Sequence, residues 1–464
     1  MFRLNSIRLS GREVLPLIEG GKGVGISNGL TAGAWAAAGG MGTFSGVNAQ
    51  NFDENGNLIP IIYHGKTRQE RHYELIQYAI KAGIYQAQMA YEKSKNLGGI
   101  HINVLWEMGG VEPVLEGILE KAGRLVHGIT CGAGMPYRLA EIAAKFKIFY
   151  VPIVSSARAF SALFQRSYKN FTQWLGGVVY EDPWRAGGHN GLSNKEDPTL
   201  PQDPYPRVLE LRRVMNSCGL QDVPVIMAGG VWHLRDWKDW IDNKELGPLG
   251  FQFGTRPLLT QESPISQEWK RRLPTLQPGD VLLNRFSPTG FYSSAVRNHF
   301  IQELQERSAR QLSYSQDQEE GFPVRLEVGS RGRPIYVKEE DIHKALQWIE
   351  QGFTQTLKTP QKTVIFVTPE KALAIHKDQI ECMGCLSACV FSNWDQAHGS
   401  TGLRPDPRSF CIQKTLQDII HNGSIEDNLM FAGHNVFMFG QDPFYANGFI
   451  PTVQELVERI CTGD

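Results

Sequence analysis

Long apolar runs are missing from this chain. No stretch of the 464 residues approaches the roughly 20 consecutive apolar positions of a membrane-spanning helix. The N-terminus, Met1-Phe2-Arg3-Leu4-Asn5-Ser6-Ile7-Arg8, is interrupted by Arg8, Arg12 and Glu13 before a signal-peptide core can form, so a cytoplasmic protein is expected. Surplus charge is missing as well. Lys and Arg number 47 against 48 Asp and Glu, a formal net charge of -1, which removes the electrostatic case for nucleic acid or an anionic membrane surface. Cysteine is sparse: seven in a cytosolic chain of this length do not form a disulfide framework. No repeat with a period of roughly 20–50 residues is present beyond an alternation of strand and helix. The partner that remains is a small-molecule substrate; nothing in the sequence indicates an oligomeric state.

The main positive feature is that alternation. Short β-rich apolar runs at 14–18, 42–47, 100–106, 125–130, 148–154, 176–180, 224–227 and 250–253 are separated by helical stretches such as 71–95, 111–121, 137–145 and 205–216. The runs at 125–130 and 224–227 lack strict polar alternation, as strands buried on both faces do. Eight βα units in sequence predict an α/β fold, a (β/α)8 TIM-type barrel. Beyond Thr260 the rhythm stops, and Pro264, Pro274, Pro278 and Pro288 punctuate the next stretch of chain. The expected organisation is a barrel over 1–263, a connecting segment of mixed structure over 264–375, and a cysteine-containing segment over 376–464. The last two make a C-terminal extension of mixed α+β.

Catalytic groups of such a barrel lie just after its strands. After the first run comes Glu19-Gly20-Gly21-Lys22-Gly23-Val24-Gly25-Ile26-Ser27, where Gly23 and Gly25 would let backbone approach a flat ring system. It does not fit the dinucleotide G-x-G-x-x-G fingerprint, and a plain tight turn explains it equally well. Ala228-Gly229-Gly230 succeeds the seventh run and Gly254-Thr255-Arg256 the eighth. Glycine-containing turns at these two places form the usual phosphate site of the fold. After the sixth run, Arg185-Ala186-Gly187-Gly188-His189-Asn190-Gly191 puts a histidine among small neighbours on a loop at the catalytic face. An imidazole there can take or give a proton near neutral pH.

These motifs, in this order, resemble the nitronate monooxygenase (2-nitropropane dioxygenase-like) family. The matching residues run from Gly23-Val24-Gly25-Ile26-Ser27 through Asn103, Gly132-Ala133-Gly134 with Pro136, and 186–191, to Ala228-Gly229-Gly230 and Gly254-Thr255 with Glu262-Ser263. The resemblance implies a (β/α)8 fold and non-covalent FMN, with His189 as catalytic acid/base or substrate-orienting residue. It implies that Gly229, Gly230, Gly254 and Thr255 hold the FMN phosphate, and that Asn103 and Gly187, with Gly188 beside it, meet the flavin. Two residues depart from the family pattern: Glu19 stands where Gln is frequent, and Lys22 where Met is common.

Cys382-x2-Cys385-x3-Cys389 with Cys411 further on is the other concentrated signal. Four thiolates suit a [4Fe–4S] cluster or zinc. The spacing resembles that of iron–sulfur flavoenzymes of the dienoyl-CoA reductase type, which puts the cluster first and zinc second; buried free thiols are the third reading. The leading functional expectation is oxidation of an alkyl nitronate by O2 to a carbonyl compound and nitrite. The alternative is an NAD(P)H-dependent flavin reductase of enoyl-thioester or quinone substrates. A non-redox phosphate-binding isomerase or lyase would use the same two phosphate turns.

Overall fold

The computed structural model describes residues 4–50, 52–53, 58–329, 332–421 and 423–464. Residues 1–3, where the N-terminal reading begins, lie outside the described residues. Eight parallel strands close into a barrel: Leu17–Glu19, Met41–Ser45, Gly99–Leu105, Gly128–Gly132, Phe149–Val154, Val178–Glu181, Val225–Ala228 and Leu249–Phe253, with the eighth pairing back onto the first. Each overlaps one of the eight runs read from the sequence. Met41–Ser45 and Gly128–Gly132 are buried at every position, which accounts for the missing polar alternation.

The first strand is shorter and later than its run suggests. Arg12–Val14 instead pairs antiparallel with Ile7–Leu9. Pro16, with no N–H to donate, separates that hairpin from the barrel strand. Leu9 and Val14 join Ile18, Met41, Val151, Val179 and Ile226 in a small cluster of their own, so the hairpin packs with residues of five barrel strands. Helices come after most strands. The longest, Arg68–Ser94, starts from a reciprocal cap in which the Thr67 hydroxyl accepts from the Glu70 N–H and the Glu70 carboxylate accepts from the Thr67 N–H.

Past the barrel the chain divides by core. Residues 311–367 hold the hairpin Val324–Val328/Arg333–Val337, the sheet of Gln311–Ser313, Thr363–Val367 and Gln355–Lys358, and the helix Ile342–Glu350. Leu312, Leu326, Ile335, Val337, Val364 and Phe366 give this lobe a core separate from the barrel's. The stretch before it and the chain after it share the barrel's own core through residues such as Trp269, Val296, Trp394, Leu416, Met430 and Leu456. The C-terminal segment is therefore packed onto the barrel. Among the described residues, no helix is long and apolar enough to cross a membrane.

Candidate active site at the barrel mouth

The strand C-termini open into three adjoining chambers. The inner one runs past Gly21, Lys22, Gly23, Asn103, Gly187 and Gly188. A second holds Arg185, Gly229, Gly230, Gly254, Thr255 and Gly433. The outer one, about 590 Å³, is bounded by Trp106, Met135, Ile153, Asn190 and Phe291 among others. His189 lines the inner and outer chambers, and Glu181 lines all three.

The second chamber has the form of a phosphate cradle. Gly229 and Gly230 have φ of +91° and +78°, backbone that side chains rarely adopt. At Gly254 a Cβ would meet nothing within 4 Å, so that side of the cradle is open space. Thr255 is buried, and its hydroxyl oxygen accepts from the Gly433 N–H at 2.9 Å, which ties the C-terminal segment to the cradle. Arg185 adds a cation there that the motif reading passed over. Arg256, by contrast, points away, into a buried cluster with Asp442 at 3.6 Å and Tyr445.

The inner chamber is lined by glycine backbone and the Asn103 amide. Gly21 rests so tightly on Asn103 that an added Cβ would lie 2.4 Å from its Cγ. The Thr130 hydroxyl donates to Asn103 Oδ1 at 3.0 Å, and the Asn103 amide N–H groups have no hydrogen-bond partner among the described residues. They are free for a ligand. Glu19 and Lys22, the two departures from the family pattern, prove to be one feature: they form a buried ion pair at 2.6 Å, with Glu19 also accepting from the Thr43 N–H. Gly25 stands apart from the chambers. Its Cβ position is 2.5 Å from Ile420, so it packs against the C-terminal segment.

His189 is more firmly held than a loop reading suggests. Gly188–His189 forms a two-residue strand against Ser293 and Ser294. Its Nε2 lies 2.6 Å from the Ser287 hydroxyl, which is 2.9 Å from that of Thr289, and Phe431 meets the ring edge-on at 5.2 Å. Burial without a counter-charge lowers its pKa to about 4, so the imidazole is neutral at pH 7. Glu181, the last residue of the sixth strand, is shifted the other way, to about 8, by desolvation and then by Asp182. The sequence reading missed it because the expected strand stopped at Tyr180; the signal was a carboxylate ending an otherwise apolar run.

The C-terminal segment closes the mouth. Ile412, Gln413, Leu416, Phe431 and Ala432 line the inner chamber, and Asn48 donates to Gln413 at 2.9 Å. Cys385 reaches the same chamber. The metal expectation is not met: among the described residues no group of three or more His, Cys, Asp or Glu side chains could hold a metal ion. All seven cysteines are free. Cys382 Sγ accepts from the Ser392 hydroxyl at 3.1 Å and the Gly384 N–H at 3.4 Å, Cys389 lies in a short strand against Trp394, and Cys411 stands before the helix Ile412–Asp418. Desolvation raises the thiols of Cys385, Cys389 and Cys411, and neighbouring cysteines of the same group raise each of them further.

Comparison with known proteins agrees with this layout. The family model described as nitronate monooxygenase matches residues 10–365. Among solved structures, the enoyl reductase domain of MlnA from the macrolactin biosynthesis cluster of Bacillus amyloliquefaciens is 12% identical, covering 97% of this chain and 93% of that one at a TM-score of 0.53. FabK from Thermotoga maritima is 14% identical, with 97% and 92% covered and a TM-score of 0.51. Both share the fold, C-terminal extension included. A nitroalkane oxidase from Streptomyces ansochromogenes is 15% identical over 62% of this chain and 79% of that one, at a TM-score of 0.45. No curated protein matches. The non-redox isomerase or lyase reading falls with the family match. The chain belongs to the nitronate monooxygenase family, a family of FMN-dependent oxidoreductases.

Proposed function

We propose that this protein is an FMN-dependent reductase of an uncharged substrate with an electron-poor double bond, such as an enoyl thioester or a quinone. FMN would lie with its phosphate in the Gly229–Gly230/Gly254–Thr255 cradle and its ring against Asn103 and Gly187, supplying two-electron chemistry to whatever occupies the outer chamber. The observation that carries the reading is the make-up of that chamber. It is roomy and largely apolar, with Met135, Ile153, Leu163 and Phe291 in its walls, and its lining includes Glu107 and Glu181 but no Lys or Arg among the described residues. An anionic nitronate would enter it without a cation to meet it, while a neutral acyl chain would be well accommodated. The lysine at the inner chamber, Lys22, is already paired with Glu19. One of the solved structures that share the fold over nearly the whole chain is an enoyl reductase domain, in keeping with this reading.

The second reading, nitronate oxidation, is favoured by the family name and by His189. His189 is unprotonated at pH 7 beside the outer chamber and so is available to accept the α-proton of a nitroalkane, its lowered pKa making it a weak base. Anaerobic mixing separates the two. Under the reductase reading NADH or NADPH bleaches the FMN-loaded protein, and cyclohex-2-enone, a crotonyl thioester or benzoquinone restores the colour. Failure of both nicotinamides to bleach, with bleaching by ethyl nitronate and nitrite release on admitting O2, overturns it in favour of the nitronate. In that case His189→Ala should keep FMN and lose about 10^2-fold or more on nitroethane.

A further inference from the structure

Among the ionisable groups of the chambers that neither motif nor fold assigns, Glu181 has the most central place. Glu181 ends the sixth strand, beside Ala228 of the seventh, and lies where the three chambers meet. Among the described residues its carboxyl has no hydrogen bond and no ion pair. The charges around it are committed elsewhere. Lys22 is bound to Glu19 at 2.6 Å, and Arg185 faces Asp182 at 4.0 Å. Asp182 accepts from the Trp184 and Arg185 N–H groups, and Glu107 accepts from the Ser387 hydroxyl across the outer chamber. His189, the other titratable group shared by the inner and outer chambers, is neutral and engaged with Ser287. The flanking strands present only apolar side chains here, Ile153 and Val154 on one side and Ala228 on the other.

A carboxyl in such a place is costly to ionise, and it stays a carboxylic acid at neutral pH. Two titratable groups driven in opposite directions in one cavity divide the acid and base roles between them. His189, shifted to about 4, is a poor proton donor at pH 7; Glu181, shifted to about 8, is a good one.

We propose that Glu181 is the general acid of the oxidative half-reaction, in which reduced FMN passes hydride to the substrate, giving its proton to the substrate carbon beside the one that receives hydride. This rests on the reductase reading above. Bound FMN, reduced by a nicotinamide dinucleotide, would supply the hydride. In an alkene conjugated to a carbonyl, the C=C π bond breaks and a C–H bond forms at the β carbon with the incoming electron pair. The O–H bond of Glu181 breaks and a C–H bond forms at the α carbon. Glu181 is left as carboxylate and regains its proton from water. Asn190 has a role beside it: it is buried, lines the outer chamber, and its amide nitrogen lacks any partner among the described residues, so it can donate to a substrate carbonyl.

The test uses FMN-loaded protein photoreduced under anaerobic conditions, so that no nicotinamide is needed, and mixed with cyclohex-2-enone or a crotonyl thioester. Glu181→Gln should bind FMN as the parent does and re-oxidise about 10^2–10^4-fold more slowly, with Glu181→Asp recovering part of the rate. The parent rate should fall as pH rises through about 8, because only the protonated carboxyl can donate. An independent readout is infrared: the parent-minus-Glu181→Gln difference at pH 7 should contain a protonated-carboxyl carbonyl band. Parent-like re-oxidation in Glu181→Gln, or a difference spectrum with carboxylate bands alone, overturns the proposal. If the parent itself is inert to every alkene, the reductase reading falls first and takes the acid step with it; that outcome is distinct from a reactive parent with an equally reactive variant.

Discussion

At the scale of single residues, environment decides chemistry here more than residue type does. Glu19, Glu107 and Glu181 are three carboxyls near the same mouth. One is paired with Lys22, one is hydrogen-bonded by Ser387, and one is left alone. The Glu19–Lys22 pair also shows how two departures from a family pattern can compensate. Both side chains are almost fully buried, so removing one strands the other charge. Glu19→Gln alone is expected to destabilise the fold by about 3–5 kcal/mol, while Glu19→Gln with Lys22→Met, the residues common in the family, should return to near the parent or above it. Denaturant unfolding of both singles and the double checks this. Additive losses would mean that the pair is not coupled.

At the scale of elements, the barrel supplies the floor of the site and the C-terminal segment its roof. The joint between them is tight at Gly187, where an added Cβ would lie 2.5 Å from the Ala432 carbonyl carbon. Gly187→Ala is therefore expected to lift the strap around residues 431–433 without disturbing the strands. Overpacking of this kind costs about 1–3 kcal/mol, and FMN affinity should weaken roughly tenfold, which corresponds to about 1.4 kcal/mol. Titration of apoprotein with FMN measures the affinity, and limited proteolysis should show new cleavage in the strap. Unchanged affinity and cleavage would show that the strap does not bear on the cofactor. The cysteine spacing belongs to this scale too. It was legible as a pattern, yet Cys382 is held by Ser392 and Gly384, and Cys389 by strand pairing.

At the scale of the whole molecule, two cores make two responses to ligand. FMN binding in the barrel mouth should stabilise the unit that contains the barrel and the C-terminal segment, by about 2.7 kcal/mol at a hundredfold excess over Kd. The lobe over 311–367, with its own core, should not share that gain. Differential scanning calorimetry with and without FMN is expected to move one transition and leave a smaller one in place. A single transition that moves as a whole would mean that the two cores unfold together.

The sequence by itself determined the barrel, because eight apolar runs of strand length, spaced by amphipathic helices, have few other ways to bury themselves. It also placed glycine turns after the seventh and eighth strands, and the positive φ of Gly229 and Gly230 is a matter of local backbone geometry. His189 and the glycines after strands seven and eight could be singled out from position, Asn103 only through the family resemblance, and all of them line the chambers. Only the tertiary structure decided the rest. That Gly25 faces Ile420 and not the chambers, and that the chain beyond residue 410 roofs the site, depends on contacts between residues hundreds of positions apart. The acidity of Glu181 and the neutrality of His189 arise from desolvation and from which neighbouring charges are already paired. Those are properties of a packed interior, and no spacing along the chain encodes them.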